Sequence, residues 1–423
     1  MPLSPPSPPI LIITGAKGDT RRYRAFHLYQ QLRMAGVEVN VFHVSDARAI
    51  SQAEKCRVLV LHRVPYDPIV ARLVDSVRRR AGLVLVDHDD LIFDPAAFQW
   101  IDSPDFRDPI RAQLYQKEME RQKQTVLLSD GVITSTAYLA EVVRKTGKPA
   151  WVHRNAANLE MIEISARAMT QKRQPDGKYV IGYASGTPTH NRDFAMIAPV
   201  LMETLKAITQ AELWIIGNLD LTPDWQPFKN RVRSFRSVPW RELPFWLTQI
   251  DVNLAPLVLD NPFSQSKSEI KFMEAALVGV PTIASPTDAF AYAIRPSGNG
   301  LLARTAGDWQ AALEVLADPA RRAALGAMAR NDALTQYAPQ CRAQQAVELL
   351  NQIADHFGRA DRWQFSTILT EPLEQYNWPA AWENAPSLAK MGMYSLKSRG
   401  VLTLLKQFWI TLRRIAARWV PYR

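Results

Sequence analysis

A short, continuously apolar run followed by a helical stretch recurs along the chain, and it recurs in two separate blocks. The first block opens with Ile10-Leu11-Ile12-Ile13-Thr14-Gly15. A helix is predicted from about Arg21 to Ala35, with Phe26, Leu28, Leu32 and Met34 as its apolar positions and Gly36 as its stop. Further strands are expected at 37–42, 58–61, 83–86, 131–134 and 150–152, with a helix over 68–80. Strands this short and apolar on both faces, alternating with helices, belong to a parallel sheet covered on both sides. A polar stretch at 171–178 interrupts the theme, which restarts with Tyr179-Val180-Ile181-Gly182-Tyr183. Strands are expected again at 212–217, 232–235, 252–255, 282–284 and 300–303. The expected fold is therefore α/β, with two Rossmann-like domains at 1–170 and 179–356 and a linker at 171–178. Helices from Asp308 to about His356 complete the second domain and lean back over the first. Residues 357–423 form a basic extension.

Composition fits this division. A chain of 423 residues that is 47% hydrophobic has enough apolar surface for two cores. Cys56 and Cys341 are its only cysteines and have no metal-ligand spacing, which argues against a disulfide framework or a structural zinc and for a reducing, cytoplasmic setting. The opening Met1-Pro2-Leu3-Ser4-Pro5-Pro6 has neither the basic nor the apolar part of a signal peptide, and no apolar run approaches the roughly 20 residues that span a bilayer.

The formal charge is +10, but eight basic residues and no acidic ones lie beyond Asn384, so the body is close to neutral and a nucleic-acid-binding body is not expected. In that tail Val401, Leu405, Phe408, Leu412, Ile415 and Trp419 fall on one helical face, opposite Lys406, Arg413, Arg414 and Arg418. Such a helix at 394–423 suits an anionic surface at the inner face of a membrane. The alternative is packing on the protein's own body or on a second subunit.

Doubly wound domains bind ligands outside the carboxyl ends of their strands, so two of them facing each other make a cleft. The richest segment for that cleft runs from Ile250 to Ser285 as strand, polar loop, helix, glycine stop and strand. It places Lys267 and Ser268 at a helix N-terminus, where a diphosphate is favoured, with Glu274 in reach of hydroxyl groups and Glu269 as a second carboxylate. Lys271 reads as an ordinary outer helix position. The loop from Gly182 to Phe194 adds Gly186, Thr187, His190 and Arg192, residue types that let a backbone approach phosphate and bind its oxygens. Gly217 ends another strand at the same edge. In the first domain, Gly15, Gly18 and Arg21 lie in and after the first strand-to-helix turn, whose spacing is not that of a dinucleotide or Walker loop. Val86-Asp87-His88-Asp89-Asp90 concentrates acid at a strand end, and His88 and Asp89 are its candidates for acceptor binding or proton transfer.

The segment with Glu274, Ala275, Gly279, Pro281, Ile283, Ala284 and Ser285 resembles the retaining glycosyltransferases of family four, which have the two-domain GT-B fold. The likeness spans about residues 10–355 and is strongest at 251–302. It departs where that family has a glutamate eight residues before Glu274, since Ser266 stands there. The resemblance implies transfer of a sugar from a nucleotide-diphosphate sugar to a carbohydrate or lipid-linked acceptor, in cell-surface polysaccharide or glycolipid assembly. It further implies retention of configuration and no required cofactor or metal. By position it assigns Val238 to a loop lining base and ribose, and Gly15 and Gly18 to the acceptor side. Two other readings share the fold: a nucleotide-sugar 2-epimerase, and a non-catalytic carbohydrate-binding scaffold.

Overall fold

The structure is a computed structural model that describes residues 9–186, 189–295 and 298–364. The amphipathic segment at 394–423 lies outside the described residues.

Among the described residues, twelve strands form two parallel sheets of six. The first contains β1 (Ile10–Thr14), β2 (Val39–His43), β3 (Val58–His62), β4 (Leu83–His88), β5 (Gly131–Thr134) and β6 (Ala150–Val152). Their order is β2-β1-β3-β4-β5-β6. The second contains β7 (Tyr179–Ser185), β8 (Ala211–Gly217), β9 (Val232–Phe235), β10 (Val252–Ala255), β11 (Thr282–Ala284) and β12 (Leu301–Leu302), in the order β12-β11-β10-β7-β8-β9. In each sheet the opening strand has a neighbour on both sides, so the direction of winding reverses beside β1 and again beside β7. Both reversals open a crevice at the carboxyl edge.

The alternation of side chains sorts the first core into two layers. Leu11, Ile13, Leu59, Leu61, Val84 and Val86 face Val70, Leu73 and Val77 of the helix Pro68–Arg78. Ile10, Ile12, Val58, Val60, Leu83 and Leu85 face the opposite way, toward Leu28 and Leu32. The same layer receives Ala343, Ala346, Val347, Leu350 and Ile353 from the helix Pro339–His356. That helix thus returns across the molecule to cover the first sheet. In exchange, the helix Leu159–Met169 sends Met161 and Ala168 into clusters with residues of the second unit, among them Phe272 and Leu277 for the first and Val180 and Ile250 for the second. The polypeptide therefore crosses between the two sheets twice.

Three local features bear on the site. The expected helix from Arg21 contains a π-helical turn at Arg22–Phe26, which buries Arg22, Tyr23 and Arg24. Such turns widen the helix and accompany functional sites. A long helix at Pro109–Leu128 was not expected, because its buried positions are only Met119, Gln122, Thr125 and Val126 and leave little apolar periodicity to read. Gly279 turns the chain at φ 68 after the helix Ile270–Leu277, and the helix Pro319–Gln336 lies directly on that turn through Gly326.

A Cβ at Gly326 would collide with the Gly279 carbonyl oxygen and stand 3.0 Å from its carbon. Gly326→Ala is accordingly expected to destabilise the protein by about 1–3 kcal/mol, seen as a lowered urea midpoint. At Gly307 the nearest atom is Thr305 Oγ1 at 3.8 Å, so Gly307→Ala is expected to shift the midpoint by under about 0.5 kcal/mol or to raise it slightly.

Candidate active site between the two sheets

On the second-sheet side, the loop after β10 and the helix Ile270–Leu277 supply three groups. The Lys267 ammonium sits 4.0 Å from the Phe263 ring centroid and donates to Asp90 Oδ1 at 2.8 Å. Lys271 and Glu274, three residues apart, share a helical face. The Lys271 ammonium is buried without a hydrogen-bond partner, 4.5 Å from the Tyr183 ring centroid. Burial pushes its pKa down to about 8. Glu274 accepts a hydrogen bond from the Tyr23 hydroxyl of the first unit, and burial raises its pKa.

Next to them, His190 Nδ1 lies 2.8 Å from Asp193 Oδ2. The other Asp193 oxygen accepts from the Val258 amide at 2.9 Å and from Ser264 Oγ at 3.2 Å. Asp193 therefore ties the first turn of the helix Asn191–Ala207 to the loop that carries Lys267. Burial, then the nearby Lys271 charge, lowers the His190 pKa.

On the first-sheet side, charges at the carboxyl edge are paired in series. Arg24 clasps Asp87 through Nε at 2.8 Å and Nη2 at 2.7 Å. Arg63 donates to Asp89 Oδ1 at 2.5 Å and to Asp90. Thr20 Oγ1 donates to Asp89 Oδ2 at 2.6 Å. Arg63 itself has φ 46, an uncommon left-handed backbone for a side-chain-bearing residue. Its carbonyl would lie 2.5 Å from a Cβ at position 15, which requires Gly15 there.

The residues singled out from the sequence divide by their surroundings. Lys267, Ser268, Glu274 and His190 are brought to one cleft wall, where Ser268 Oγ accepts from Asn155 Nδ2 at 2.8 Å across the domains. Gly186 ends the same edge with no atom within 4 Å of a built Cβ, which leaves open space there. Thr187 lies outside the described residues. Gly217, at φ 114, is required by packing, because a Cβ would collide with the Ser185 carbonyl. Val238 is half-buried in the loop before Trp240.

Arg192 points away, with its side chain 65% exposed near Asp102. Gly18 takes φ 74 in open space. The Arg21 guanidinium is buried over Phe26, 5.4 Å from its centroid.

Three expected roles meet a physical obstacle. His88 is fully buried against Phe93, and burial, then the Arg63 charge, lowers its pKa to about 3, so it stays neutral and out of reach of solvent. Asp89 is pinned: burial favours its neutral form, but Arg63 outweighs that and holds its pKa well below the ordinary value. A carboxylate held so firmly charged is a poor proton acceptor. Glu269 is turned into the interior, 1% exposed, with Oε1 accepting from Tyr337 at 3.1 Å. Its other oxygen lies 3.8 Å from Arg154 Nη1. Ser266, where the resembling family has a glutamate, is also fully buried; its Oγ donates to Phe263 O at 2.7 Å and accepts from the Leu91 amide at 3.3 Å.

Sequence reasoning missed Lys271, Tyr23 and Asp193. Lys271 had a legible signal, its three-residue spacing from Glu274. Tyr23 had none, because the π-turn that aims it inward leaves no mark in the apolar pattern. Arg22 is a further case: its guanidinium stacks 4.1 Å from the Tyr23 ring and 4.4 Å from that of Trp240, joining the first unit to the loop expected to line a base. Among the described residues no group of three or more His, Cys, Asp or Glu side chains is placed to hold a metal. The acidic strand end is instead matched by Arg24, Arg63 and Lys267.

Residues 198–348 match the family model described as glycosyl transferase-like. No curated protein matches the chain by sequence. Among solved structures, the chain is similar to a glycosyltransferase from Rickettsia africae, at 10% identity and a TM-score of 0.56, covering 82% of this chain and 98% of that one. It is similar to sucrose-phosphate synthase from Thermosynechococcus elongatus, at 15% identity and a TM-score of 0.55 over 82% and 100% of the two chains. A third is Anabaena HepE in complex with UDP and glucose, at 12% identity and a TM-score of 0.53 over 82% and 100%. The fold is GT-B, and the match to the glycosyl transferase-like family model falls in the second unit and the helices that follow it.

Lys271 gives a stability signature. Its pKa is lower in the folded chain than its ordinary 10.5, so the unfolded chain holds more protons between about pH 8 and 10.5. The buried charge therefore destabilises the fold fully below about pH 8 and progressively less above it. Lys271→Met is expected to melt a few degrees above the parent at pH 6–7, and the gap should close as the pH rises toward 10.5. Equal melting temperatures at all pH values would contradict the placement of this ammonium.

Proposed function

We propose that the chain transfers a glycosyl group from a nucleoside-diphosphate sugar to an acceptor hydroxyl. The diphosphate would lie against Gly186, Ser268 and the two lysines. The observation that carries this reading is the convergence of Lys267 and Lys271 on His190, at the carboxyl edge of the second sheet. An unpartnered ammonium in a cleft is a costly feature unless an anion completes it. HepE, seen with UDP and glucose, makes a UDP-sugar the first donor to test.

In the step proposed, the bond from the anomeric carbon to the diphosphate oxygen breaks and one to the acceptor oxygen forms. Charge developing on the leaving diphosphate is stabilised by Lys267 and Lys271. Neither His88 nor Asp89 suits a general base, the one buried and neutral, the other pinned by Arg63. The resemblance to the retaining glycosyltransferases of family four implies that the acceptor proton goes to the leaving phosphate on the same face of the sugar, with retention. Lys267 must exchange Asp90 for the donor, and Glu274 must exchange Tyr23 for a donor hydroxyl. Donor binding and rearrangement of these two cross-cleft contacts are thus one event.

Lys267→Ala and Glu274→Gln are each expected to lower kcat/KM for the donor by about 10- to 100-fold, the size of one charge-assisted contact, with melting little changed. The readout is nucleoside diphosphate released together with the glycosylated acceptor or free sugar. Unchanged turnover and donor affinity in both variants would sink the assignment, and an epimeric sugar nucleotide in place of transfer would replace it. Turnover is further expected to persist in a chelator, because lysines and backbone amides supply the counter-charge. Complete loss that Mg²⁺ restores would overturn metal independence.

A further inference from the structure

A polar cavity of about 250 Å³ lies where the chain crosses between the units. Arg154, which follows β6, lines it with Tyr292 of the helix Asp288–Ala293 and with Arg342, Gln345, Glu348 and Gln352 of the helix Pro339–His356. Three segments distant in sequence thus meet around one space.

The two arginines are buried, Arg154 at 9% exposure and Arg342 at 3%. Their donors are not met. Arg342 gives one hydrogen bond, Nη1 to Gln345 Oε1 at 2.6 Å, and its Nε and Nη2 have no acceptor. Among the described residues no carboxylate forms an ion pair with it. Arg154 Nη1 also lacks an acceptor. Its nearest carboxylates, Glu269 at 3.8 Å and Asp288 at 3.6 Å, are beyond hydrogen-bond length. A small shift that joined Arg154 to Glu269 would satisfy one N–H; Arg342, whose guanidinium carbon is 5.1 Å from the Tyr337 ring centroid, would still have no acceptor for Nε and Nη2. The other polar neighbours do not answer it either: His153 gives its Nε2 to Gln31, and the exposed Glu348 accepts from Gln344.

A buried guanidinium with unmet donors is strongly disfavoured, and planar forks of this kind match the oxygens of an oxyanion. We propose that this cavity binds a phosphate or phosphate monoester, gripped by Arg154 and Arg342. The cavity has room beyond a phosphate for a small carrier. Tyr292 offers an apolar face at the mouth: it is 46% exposed and already stacks on Arg154, whose guanidinium carbon is 3.8 Å from the ring centroid. Because the ligand would touch Arg154 of the first unit, Tyr292 of the second and the returning helix, it would join all three.

The test is isothermal titration of the full-length chain, in phosphate-free buffer, with inorganic phosphate and with glycerol 3-phosphate. Both probes, or the ester alone, should bind the parent and Lys267→Ala equally, since Lys267 belongs to the other site. Binding should weaken by about tenfold or more in Arg342→Gln and in Arg154→Gln. Tighter binding of the ester, reduced by Tyr292→Ala, would identify a phosphate monoester; equal binding of both probes would identify the free anion. Without ligand, Arg342→Gln should melt no lower than the parent, because it removes a buried charge that lacks a partner. The inference is overturned if neither probe gives heat at millimolar concentration. It is also overturned if the arginine variants bind as the parent does, if Lys267→Ala alone abolishes binding, or if Arg342→Gln melts well below the parent.

Discussion

The paired charges at the carboxyl edge of the first sheet set the terms for everything around them. Arg24 holds Asp87, and Arg63 holds Asp89 and Asp90. Buried ions of one sign would be prohibitive there, and opposite signs in hydrogen-bond contact make the edge tolerable. The series is complete only when Lys267 of the other unit reaches Asp90. The first sheet therefore presents to the cleft a rim whose last carboxylate is answered by the opposite wall. The left-handed backbone of Arg63 and the bare Gly15 beside it belong to the same arrangement, since they let the guanidinium turn inward.

The two walls of the cleft differ in kind. The first is saturated: Asp87, Asp89 and Asp90 each have a cationic partner, and His88 is sealed off. The second is poised, with one lysine borrowed by Asp90, another without a hydrogen-bond partner among the described residues, and a carboxyl whose pKa burial raises. Chemistry that needs a fixed scaffold on one side and exchangeable contacts on the other suits such a pair. Asp193 supports the poised wall without facing the cleft as a free acid, because both of its oxygens are committed to neighbours.

Much of the fold was legible from the apolar runs. β1, β3 and β4 are buried along their whole length, and that is why each reads as an uninterrupted hydrophobic word. The polar helix Pro109–Leu128 was not legible, since it buries too few apolar positions. The site was legible in part. Lys267 and Glu274 were marked by their loop and glycine-stop context, whereas Glu269 looked equivalent in sequence and is turned inward by its contacts with Tyr337. His88 and Asp89 drew attention as an acidic cluster. Burial keeps His88 neutral, and the Arg63 that pins Asp89 comes from the loop after another strand, so nothing in the local pattern announces either. Lys271 reads as an outer helix position because helix periodicity assigns a face but not what covers it.

The exchange of helices has a consequence for how such a chain comes into being. One layer of the first sheet is closed by Ala343, Ala346, Val347, Leu350 and Ile353, residues synthesised more than two hundred positions after the strands they cover. During translation the first six strands emerge long before their lid. Until it arrives, that apolar layer is open to water, to chaperones or to a neighbouring chain. The first unit is therefore first in order of synthesis but not first to be finished, and it completes its core only after the second unit has emerged.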